Sequence, residues 1–258
     1  MPMRLKSKCA VMTSFVFLSA GLVLAGTGYE EIVDQSYPLS DGGHVSLENI
    51  NGDVSIEVWE RNEVHVYAVK KASSPELLDE LEVRVDADKD RVRIDTHYPS
   101  MNHSDNGYRR FTKVEYTLTV PRLAMLDEIE LVNGDLAVVG IEGGMDAETV
   151  NGNIMVRDCA GSAILGTVNG GIEAYFDRLS YENKLDMESV NGRLDLYLAS
   201  SLGADLSADT VNGSLKNDFG LEVRKGKYVG SDFRGSVGGG GAKVSLETVN
   251  GSINVHRW

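Results

Sequence analysis

Residues 145–156 read MDAETVNGNIMV, and this stretch decides the fold because closely similar stretches recur along the chain. The dipeptide Asn-Gly is the fixed centre of the repeat, and its steps from Asn133 onward are 18, 18, 22, 21 and 38 residues. The seven copies that follow a Val or Ile are Asn51-Gly52, Asn133-Gly134, Asn151-Gly152, Asn169-Gly170, Asn191-Gly192, Asn212-Gly213 and Asn250-Gly251. Such regular spacing predicts a repeat architecture in which each copy forms one structural unit.

Apolar and polar residues alternate on both sides of each Asn-Gly pair. In the opening stretch, Thr149 and Ala147 occupy alternate positions before the pair, and Ile154 and Val156 occupy alternate positions after it. Alternation with a period of two is typical of a β-strand that buries one face. Each copy therefore predicts a strand, a corner and a second strand, with intervening residues such as Glu148 facing water.

The corner itself breaks the alternation. Val150 directly follows Thr149, and the position before the asparagine is apolar in all seven copies, so we expect a bend that turns both side chains inward. Asparagine and glycine tolerate a positive φ, so we expect that conformation at the corners. The last step of 38 residues predicts one more, degenerate corner at residues 229–231.

Two assemblies are compatible with these units. In a hairpin the Asn-Gly pair forms a type I′ turn and consecutive strands run antiparallel. In a solenoid the pair is a corner, equivalent strands stack in parallel, and the asparagines can ladder from coil to coil. The near-constant period favours the solenoid. We therefore predict an all-β fold, a right-handed parallel β-helix or β-solenoid with about 18–22 residues per coil over residues 126–258.

Residues 29–125 contain a single Asn-Gly pair that follows an apolar residue, Asn51-Gly52, and longer alternating runs. We predict that they form an antiparallel β portion that caps the solenoid, in one continuous domain with it. The alternating runs 54–58 and 64–68 predict a hairpin. Ser74 followed by Pro75 predicts the N-cap and first turn of one short helix.

Several of these motifs together resemble a known family. They are LENINGDVSIEVW at residues 47–59, VEYTLTVP at 114–121, and the serial motifs ETVNGNI, GTVNGGI, ESVNGRL and ETVNGSI. The chain thereby resembles the bacterial putative-adhesin family of β-strand repeats, a domain of unknown function with serial Val-Asn-Gly motifs. The resemblance covers most of residues 40–258. It implies an exported β-helix-like fold and brings no catalytic residues with it.

Residues 1–25 have the pattern of a secretory signal peptide. Arg4, Lys6 and Lys8 precede an apolar run, and small residues stand where a cut after Ala25 would need them. An uncleaved N-terminal membrane anchor is the alternative, but the apolar run is short for a span of about 20 residues. We therefore predict export to the periplasm or cell surface, with no membrane span after cleavage.

The composition excludes one class of partner. The 258 residues include 39 acidic and 25 basic ones, and removal of the three basic residues in 1–25 changes the net charge from −14 to −17. Nucleic acid is bound by clustered Lys and Arg, so we predict no nucleic-acid partner. Cys9 leaves with the signal, and we expect the remaining Cys159 to be a small apolar residue at a strand end.

The sequence contains no complete motif of a metal, cofactor or catalytic site. Asp86, Asp88 and Asp90 begin like a calcium loop, but Arg91 and His97 occupy the positions that require glycine and glutamate, so we predict a hairpin turn. The glycine-rich run 235–241 lacks the ending of a phosphate loop and predicts a bend. No pair of histidines has the i,i+4 spacing of a zinc site; the five are His44, His65, His97, His103 and His256.

We therefore predict a non-catalytic protein without cofactor or metal, an adhesin-like binding or scaffold module of the bacterial cell envelope. Its ligand would be a protein or glycan, with Trp59, Tyr67 and Tyr175 as possible anchors, although packing is the plainer role for these rings. One alternative is a carbohydrate-active β-helix enzyme, a polysaccharide hydrolase or lyase, because stacked coils could hold two carboxylates about 5–9 Å apart. Another is a periplasmic partner of an envelope-stress regulator.

Overall fold

The computed structural model of the chain describes residues 23–25, 28–99, 111–227 and 229–258. The predicted signal peptide lies outside the described residues except for Val23–Ala25, which form a short strand. Cys9 and His103 also lie outside them. In the described ranges, no helix is both long enough and apolar enough to span a membrane.

The described chain is built almost entirely of β-strands. The first nine are β1 (Val23–Ala25), β2 (Gly28–Pro38), β3 (His44–Asn51), β4 (Val54–Trp59), β5 (Glu63–Ala72), β6 (Glu82–Ala87), β7 (Arg91–His97), β8 (Thr112–Pro121) and β9 (Met125–Asn133). The next nine are β10 (Leu136–Val139), β11 (Met145–Asn151), β12 (Ile154–Cys159), β13 (Ala163–Asn169), β14 (Ile172–Phe176), β15 (Lys184–Asn191), β16 (Leu194–Leu198), β17 (Ala204–Asn212) and β18 (Leu215–Asn217). The last four are β19 (Arg224–Lys225), β20 (Ser231–Val237), β21 (Ala242–Asn250) and β22 (Ile253–Arg257), and the helix α1 (Pro75–Glu80) precedes β6.

The strands form two sheets of eleven strands each. Sheet A has the order β1-β2-β5-β8-β4-β10-β12-β14-β16-β22-β18, and sheet B has the order β19-β20-β17-β21-β15-β13-β11-β9-β3-β7-β6. The prediction of an all-β fold with one short helix is confirmed. Both sheets are mixed: their centres are parallel, and antiparallel strands lie at one end of sheet A and both ends of sheet B.

The central strands stack as seven rungs. A rung is one strand of sheet B, an Asn-Gly corner and the next strand of sheet A. Equivalent strands of adjacent rungs pair in parallel, with corner asparagine opposite corner asparagine, so the hairpin alternative does not describe these corners. The inward positions predicted from the alternation, such as Ala147, Leu165 and Met187, are buried in the core between the two sheets.

The order of the rungs differs from the order of the sequence. Strand β21 pairs in parallel with both β15 and β17, so the rung of Asn250 lies between those of Asn191 and Asn212. Strand β20 runs antiparallel to β17, and the predicted degenerate corner at residues 229–231 is therefore wrong. The glycine run is a bend, as predicted. Residues 238–241 all have positive φ, and a Cβ on Gly238 would lie 2.4 Å from the carbonyl oxygen of Leu202, so only glycines can cross there.

The N-terminal portion is only partly as predicted. Strands β4 and β5 do not form a hairpin, because β8 lies between them and pairs with β4 in parallel. Alternation identifies the buried face of a strand but not its neighbour, and here β3 and β4 form the first rung of the stack.

Two local predictions in this portion are confirmed. Ser74 caps α1, with its hydroxyl accepting a hydrogen bond from the Leu77 amide at 3.3 Å. Asp86 lies near the end of β6, Asp88 and Asp90 lie in the hairpin turn to the antiparallel β7, and the Asp88 carboxylate accepts hydrogen bonds from the amides of Asp90 and Arg91.

Candidate binding groove

The corner asparagines form a continuous ladder along the stack. Six of the seven side-chain amides, all but that of Asn51, donate to the Oδ1 of a neighbour, and the donor–acceptor distances lie between 2.9 and 3.0 Å. The order is Asn51, Asn133, Asn151, Asn169, Asn191, Asn250 and Asn212. The ladder fixes the register of the seven rungs along one edge of sheet B.

The corner glycines are needed for a different reason from the predicted one. Only Gly52 has a positive φ; the other six do not, so the expected left-handed geometry is wrong for them. Instead, a Cβ on any of the six would lie 1.6–2.1 Å from the carbonyl oxygen of the glycine on the neighbouring rung. These six are Gly134, Gly152, Gly170, Gly192, Gly213 and Gly251. Close approach of backbone to backbone therefore explains the glycine at each corner.

A column of buried side-chain hydroxyls satisfies these glycine carbonyls. The residue two positions before the asparagine is Thr or Ser in five rungs, and its hydroxyl donates to the corner carbonyl of the adjacent rung at 3.0–3.3 Å. The five are Thr149, Thr167, Ser189, Thr210 and Thr248. Because these side chains must point inward to make the bond, the next residue along each strand is turned outward.

The residues before the asparagines therefore form an exposed apolar row, which we call the valine row. It contains Ile50, Val132, Val150, Val168, Val190, Val249 and Val211, whose side chains are 38–47% exposed. The prediction that these side chains bend into the core is wrong. The period of two simply continues through the corner, because the strands of sheet B extend to the asparagine.

A second row runs beside the valine row, two residues earlier in each strand. In stack order it contains Glu48, Glu130, Glu148, Gly166, Glu188, Glu247 and Asp209, all in register, and we call it the acidic row. Both rows lie on the outer face because they are separated by two positions. The sequence shows this signal as a Glu two positions before the Val of most corners. The expected inward bend hid it, because the period of two was not continued through the corner.

The two rows line one long groove on the outer face of sheet B. Its volume is about 880 Å³, and residues 226 and 229–232 line it at one end. Among the residues that the structure describes, the charged side chains that line the groove are all acidic: Glu48, Glu130, Glu148, Glu188, Asp209, Asp232 and Glu247. With rungs about 4.8 Å apart, the seven rungs give the groove a length of about 29 Å.

The charges at the ends of the acidic row are compensated and those at its centre are not. Glu48 pairs with Arg93 at 2.6 Å, and Asp209 lies 3.6 Å from Arg234. By contrast, Glu130, Glu148, Glu188 and Glu247 have no cationic side chain within 4.0 Å among the residues that the structure describes. The central groove is thus apolar on one side and negatively charged on the other.

The carboxylates in and beside the groove affect each other. Burial raises the pKa of Glu130 above its ordinary value, and the charges of Glu48 and Glu148 raise it further. Burial likewise raises the pKa of Asp146, with a contribution from Asp127. Both shifts mean that negative charge on this face carries a cost, which a bound cation would reduce.

Two of the three aromatic residues named as anchors pack within the fold, and the third, Tyr67, does not line the groove. The ring of Tyr175 stacks on Tyr197, with centroids 4.2 Å apart, and Arg157 lies 4.9 Å from its centroid. Trp59 donates from Nε1 to the carbonyl of Glu63 at 2.8 Å and lies under the guanidinium of Arg61. These rings pack against their own chain, and they lie outside the groove.

The remaining titratable candidates do not converge on a site. His65 contacts Asp34 at 2.8 Å, and His256 lies 3.6 Å from two aspartates, Asp195 and Asp218. The described ranges hold no group of three or more His, Cys, Asp or Glu residues that could bind a metal ion. Cys159 is buried at the end of β12, as predicted, and burial raises the pKa of its thiol to about 11.

Comparisons with known proteins bear on the fold. No protein-family profile and no curated protein matches the chain. The chain is similar to a putative cell adhesion protein from Clostridium sporogenes ATCC 15579, with 16% identity, a TM-score of 0.52, and coverage of 90% of this chain and 100% of that one. It also matches a putative lipid binding protein from Parabacteroides distasonis ATCC 8503, with 13% identity, a TM-score of 0.36, and coverage of 87% and 96%. At these identities the comparison shows a similar fold and nothing more, and that similarity rests on the first structure, whose TM-score is 0.52.

Proposed function

We propose that this chain is an exported, non-catalytic β-solenoid protein that serves as an adhesin-like binding or scaffold module of the bacterial cell envelope. The observation that carries the proposal is the groove on sheet B, where seven apolar side chains are exposed in one row. Exposed apolar rows of this length are typical of interaction surfaces. The fold likeness to a cell adhesion protein and the signal-peptide pattern agree with this function.

The solenoid in this proposal is right-handed. Successive parallel strands of sheet B, such as β11 and β13, are joined through a strand of sheet A. Connections between parallel strands of one sheet are right-handed in nearly all proteins, because the twist of the strands favours that hand. The corner motifs then serve as structural elements that hold the groove in register.

Adhesion of protein-coated beads to bacterial envelope fragments tests the proposed function. The purified full chain is compared with Val168→Asp, at the centre of the valine row, and with Val139→Asp, an equally exposed valine on sheet A. We expect Val168→Asp to abolish most of the adhesion and Val139→Asp to leave it unchanged, with both variants unfolding at the wild-type midpoint. Equal adhesion of all three proteins would refute a binding role for the groove.

Export is tested separately by mass spectrometry of the protein recovered from cell fractions. We expect the envelope or secreted fraction to contain a chain that begins at Gly26. A full-length chain that stays in the cytoplasmic fraction would contradict the predicted signal peptide.

A polysaccharide hydrolase is the second candidate, and one observation favours it. A carboxyl group with a raised pKa beside other carboxylates, as at Glu130, is the environment of a general acid in glycoside hydrolysis. Turnover of a polysaccharide panel by the wild type, lost in Glu130→Gln, would replace the non-catalytic proposal. The lyase alternative is less favoured, because the acidic lining of the groove repels an acidic substrate.

A further inference from the structure

From the pairing of the valine row with the acidic row, we infer that the groove docks a basic amphipathic α-helix of a partner protein. The inference deepens the proposed function and rests on its premise that the groove is a binding surface. The helix lies along the stack, with its apolar stripe on the valine row and its Lys or Arg residues along the flank that faces the acidic row.

The position of the groove on a sheet face favours a helix over an extended peptide. Backbone N–H and C=O groups of the central strands are used in pairing with adjacent rungs, so the face offers none of them to a ligand. Extended peptides bind by adding a strand to a sheet edge. A helix satisfies its own backbone hydrogen bonds and needs only an apolar stripe to pack against.

The dimensions of the groove suit such a helix. A length of about 29 Å corresponds to about 19 helical residues at 1.5 Å per residue. One helical turn rises about 5.4 Å, close to the rung spacing of about 4.8 Å, so roughly one cation per turn can face each carboxylate of the row. The stems of Lys and Arg are themselves apolar and can lie on the valines while their charged ends reach the carboxylates.

Charge and chemistry disfavour the other occupants. A second copy of the chain docked groove to groove would bring the two acidic rows together, since the charged side chains of the described groove lining are all negative. Anionic lipids and polysaccharides are repelled for the same reason. Neutral glycans are usually held against aromatic rings, and the described groove lining consists of aliphatic, acidic, hydroxyl, amide and glycine residues.

Fluorescence anisotropy with labelled peptides tests the inference on the purified full chain. The probe is a designed helix of about 19 residues with a leucine stripe and lysines along one flank. The controls are a scrambled peptide of the same composition and a peptide with glutamate in place of lysine. We expect the amphipathic peptide to bind, more tightly at low salt, and the two controls to bind at least about tenfold more weakly.

Matched variants separate the groove from the general acidity of the protein. Glu148→Gln, Glu188→Gln and Glu247→Gln together remove three charges from the acidic row. Glu80→Gln, Glu182→Gln and Glu222→Gln together remove three exposed charges elsewhere. We expect the first triple variant to weaken peptide binding about tenfold and the second to change it less than about threefold. Equal losses, or equal binding of the scrambled peptide, would overturn the inference.

The gap in the acidic row permits a gain-of-binding test. A Cβ on Gly166 would contact only the Glu148 side chain, at 3.4 Å, so a larger residue fits there. We expect Gly166→Glu to tighten peptide binding, Gly166→Lys to weaken it, and Gly166→Ala to leave it unchanged. The same affinity in all three variants would contradict docking along the acidic row.

The outcomes distinguish this inference from the proposed function. If Val168→Asp abolishes bead adhesion while no variant of the acidic row alters peptide binding, the groove is a binding surface and its partner is not a basic helix. If the peptide binds in the groove as expected while Val168→Asp leaves adhesion unchanged, the groove is a docking site for a basic helix. The proposed role in adhesion is then wrong.

Discussion

The rungs of the stack and the antiparallel strands β2, β5 and β8 differ in whether their charged side chains form ion pairs. On the antiparallel strands, Lys70 contacts Glu31 at 2.5 Å, and Lys71 contacts Glu115 at 2.7 Å. Lys113 also pairs with Glu115. On the central rungs, carboxylates stand in register beside one another and form no ion pair within 4.0 Å among the described residues. Like charges on neighbouring strands are destabilising, so the acidic row costs stability that the antiparallel strands do not lose.

This difference separates charged side chains that stabilise the fold from charged side chains that are available to a partner. The N-terminal acids are compensated inside the fold, and their removal should harm it. The central glutamates of the acidic row form no close ion pair in the described chain, and their removal should stabilise the fold. The buried core between the two sheets and the corner contacts must offset that cost on the rungs.

The largest expected effect comes from filling a corner. In Gly170→Ala the new Cβ would lie 1.9 Å from the carbonyl oxygen of Gly152, so the rungs must separate. We expect a loss of about 3 kcal/mol or more in the free energy of unfolding, measured by urea denaturation. Gly166→Ala, on the strand that leads into this corner but without a close backbone contact, serves as the control and should stay within about 1 kcal/mol of the wild type. Similar losses in both variants would mean that the corner contact is not what requires glycine.

Removal of a buried hydroxyl should have opposite consequences in the two regions. Thr167 donates to the Gly152 carbonyl at 3.0 Å, so Thr167→Val should cost about 1–3 kcal/mol in the free energy of unfolding. Thr112, on β8, has a buried hydroxyl without a hydrogen-bond partner in the described chain. Thr112→Val should therefore be neutral or stabilise by up to about 1 kcal/mol. Denaturation of the two variants side by side checks the pair, and destabilisation of both to the same extent would break the contrast.

The asparagine ladder predicts a smaller, position-dependent effect. Asn169 makes ladder bonds to both of its neighbours, whereas Asn212 ends the ladder and makes one. We expect Asn169→Ala to cost about 1 kcal/mol and Asn212→Ala about half of that in urea denaturation. A greater loss at the end of the ladder than in its middle would contradict a cooperative stack.

The smallest effects are electrostatic and should have opposite signs. Hydrogen bonds and charge from Lys113 and Lys71 lower the pKa of Glu115, so its contribution to stability is present above the ordinary carboxyl pKa and is lost as the pH falls. The pKa of Glu130 is raised, so folding is favoured by its protonated form and stability falls as the pH rises through that raised value.

At about pH 7 and low salt, Glu115→Gln should therefore lower the melting temperature and Glu130→Gln should raise it. Both differences should shrink towards about pH 4, where carboxyl groups are largely protonated. Thermal unfolding across this pH range measures them. A drop in melting temperature for Glu130→Gln at neutral pH would show that its carboxylate has a stabilising partner.

The repeat made much of the fold predictable, because period-two alternation and constant spacing are local properties. The buried face of each rung, the helix at Ser74 and the turn at Asp88 all follow from neighbours in sequence. The rung order was not predictable: whether β21 follows or precedes β17 in the stack depends on pairing between distant segments. The mixed character of the sheets has the same origin, since the sequence of β20 does not specify whether it runs parallel or antiparallel to β17.

The groove was predictable in part. Glu148 and Val150 are two positions apart, so alternation alone places them on the same face. We expected Val150 to turn inward because an apolar residue beside a corner is usually buried. That expectation placed Val150 and Glu148 on opposite faces. What decided its direction was Thr149, whose hydroxyl must reach the Gly134 carbonyl. Such a bond depends on the distance between rungs, which sequence spacing does not provide.

Thiol labelling of a Val168→Cys variant tests the central claim that the valine row is an exposed docking surface. In a Cys9→Ser background the buried Cys159 does not react with the label, so the labelling rate is that of the new thiol alone. We predict rapid labelling of the free protein and marked slowing by the basic amphipathic peptide, while Val139→Cys on sheet A labels rapidly with and without it. Protection of the Val168→Cys thiol in the free protein, or equal labelling of both variants in the presence of bound peptide, would contradict the account.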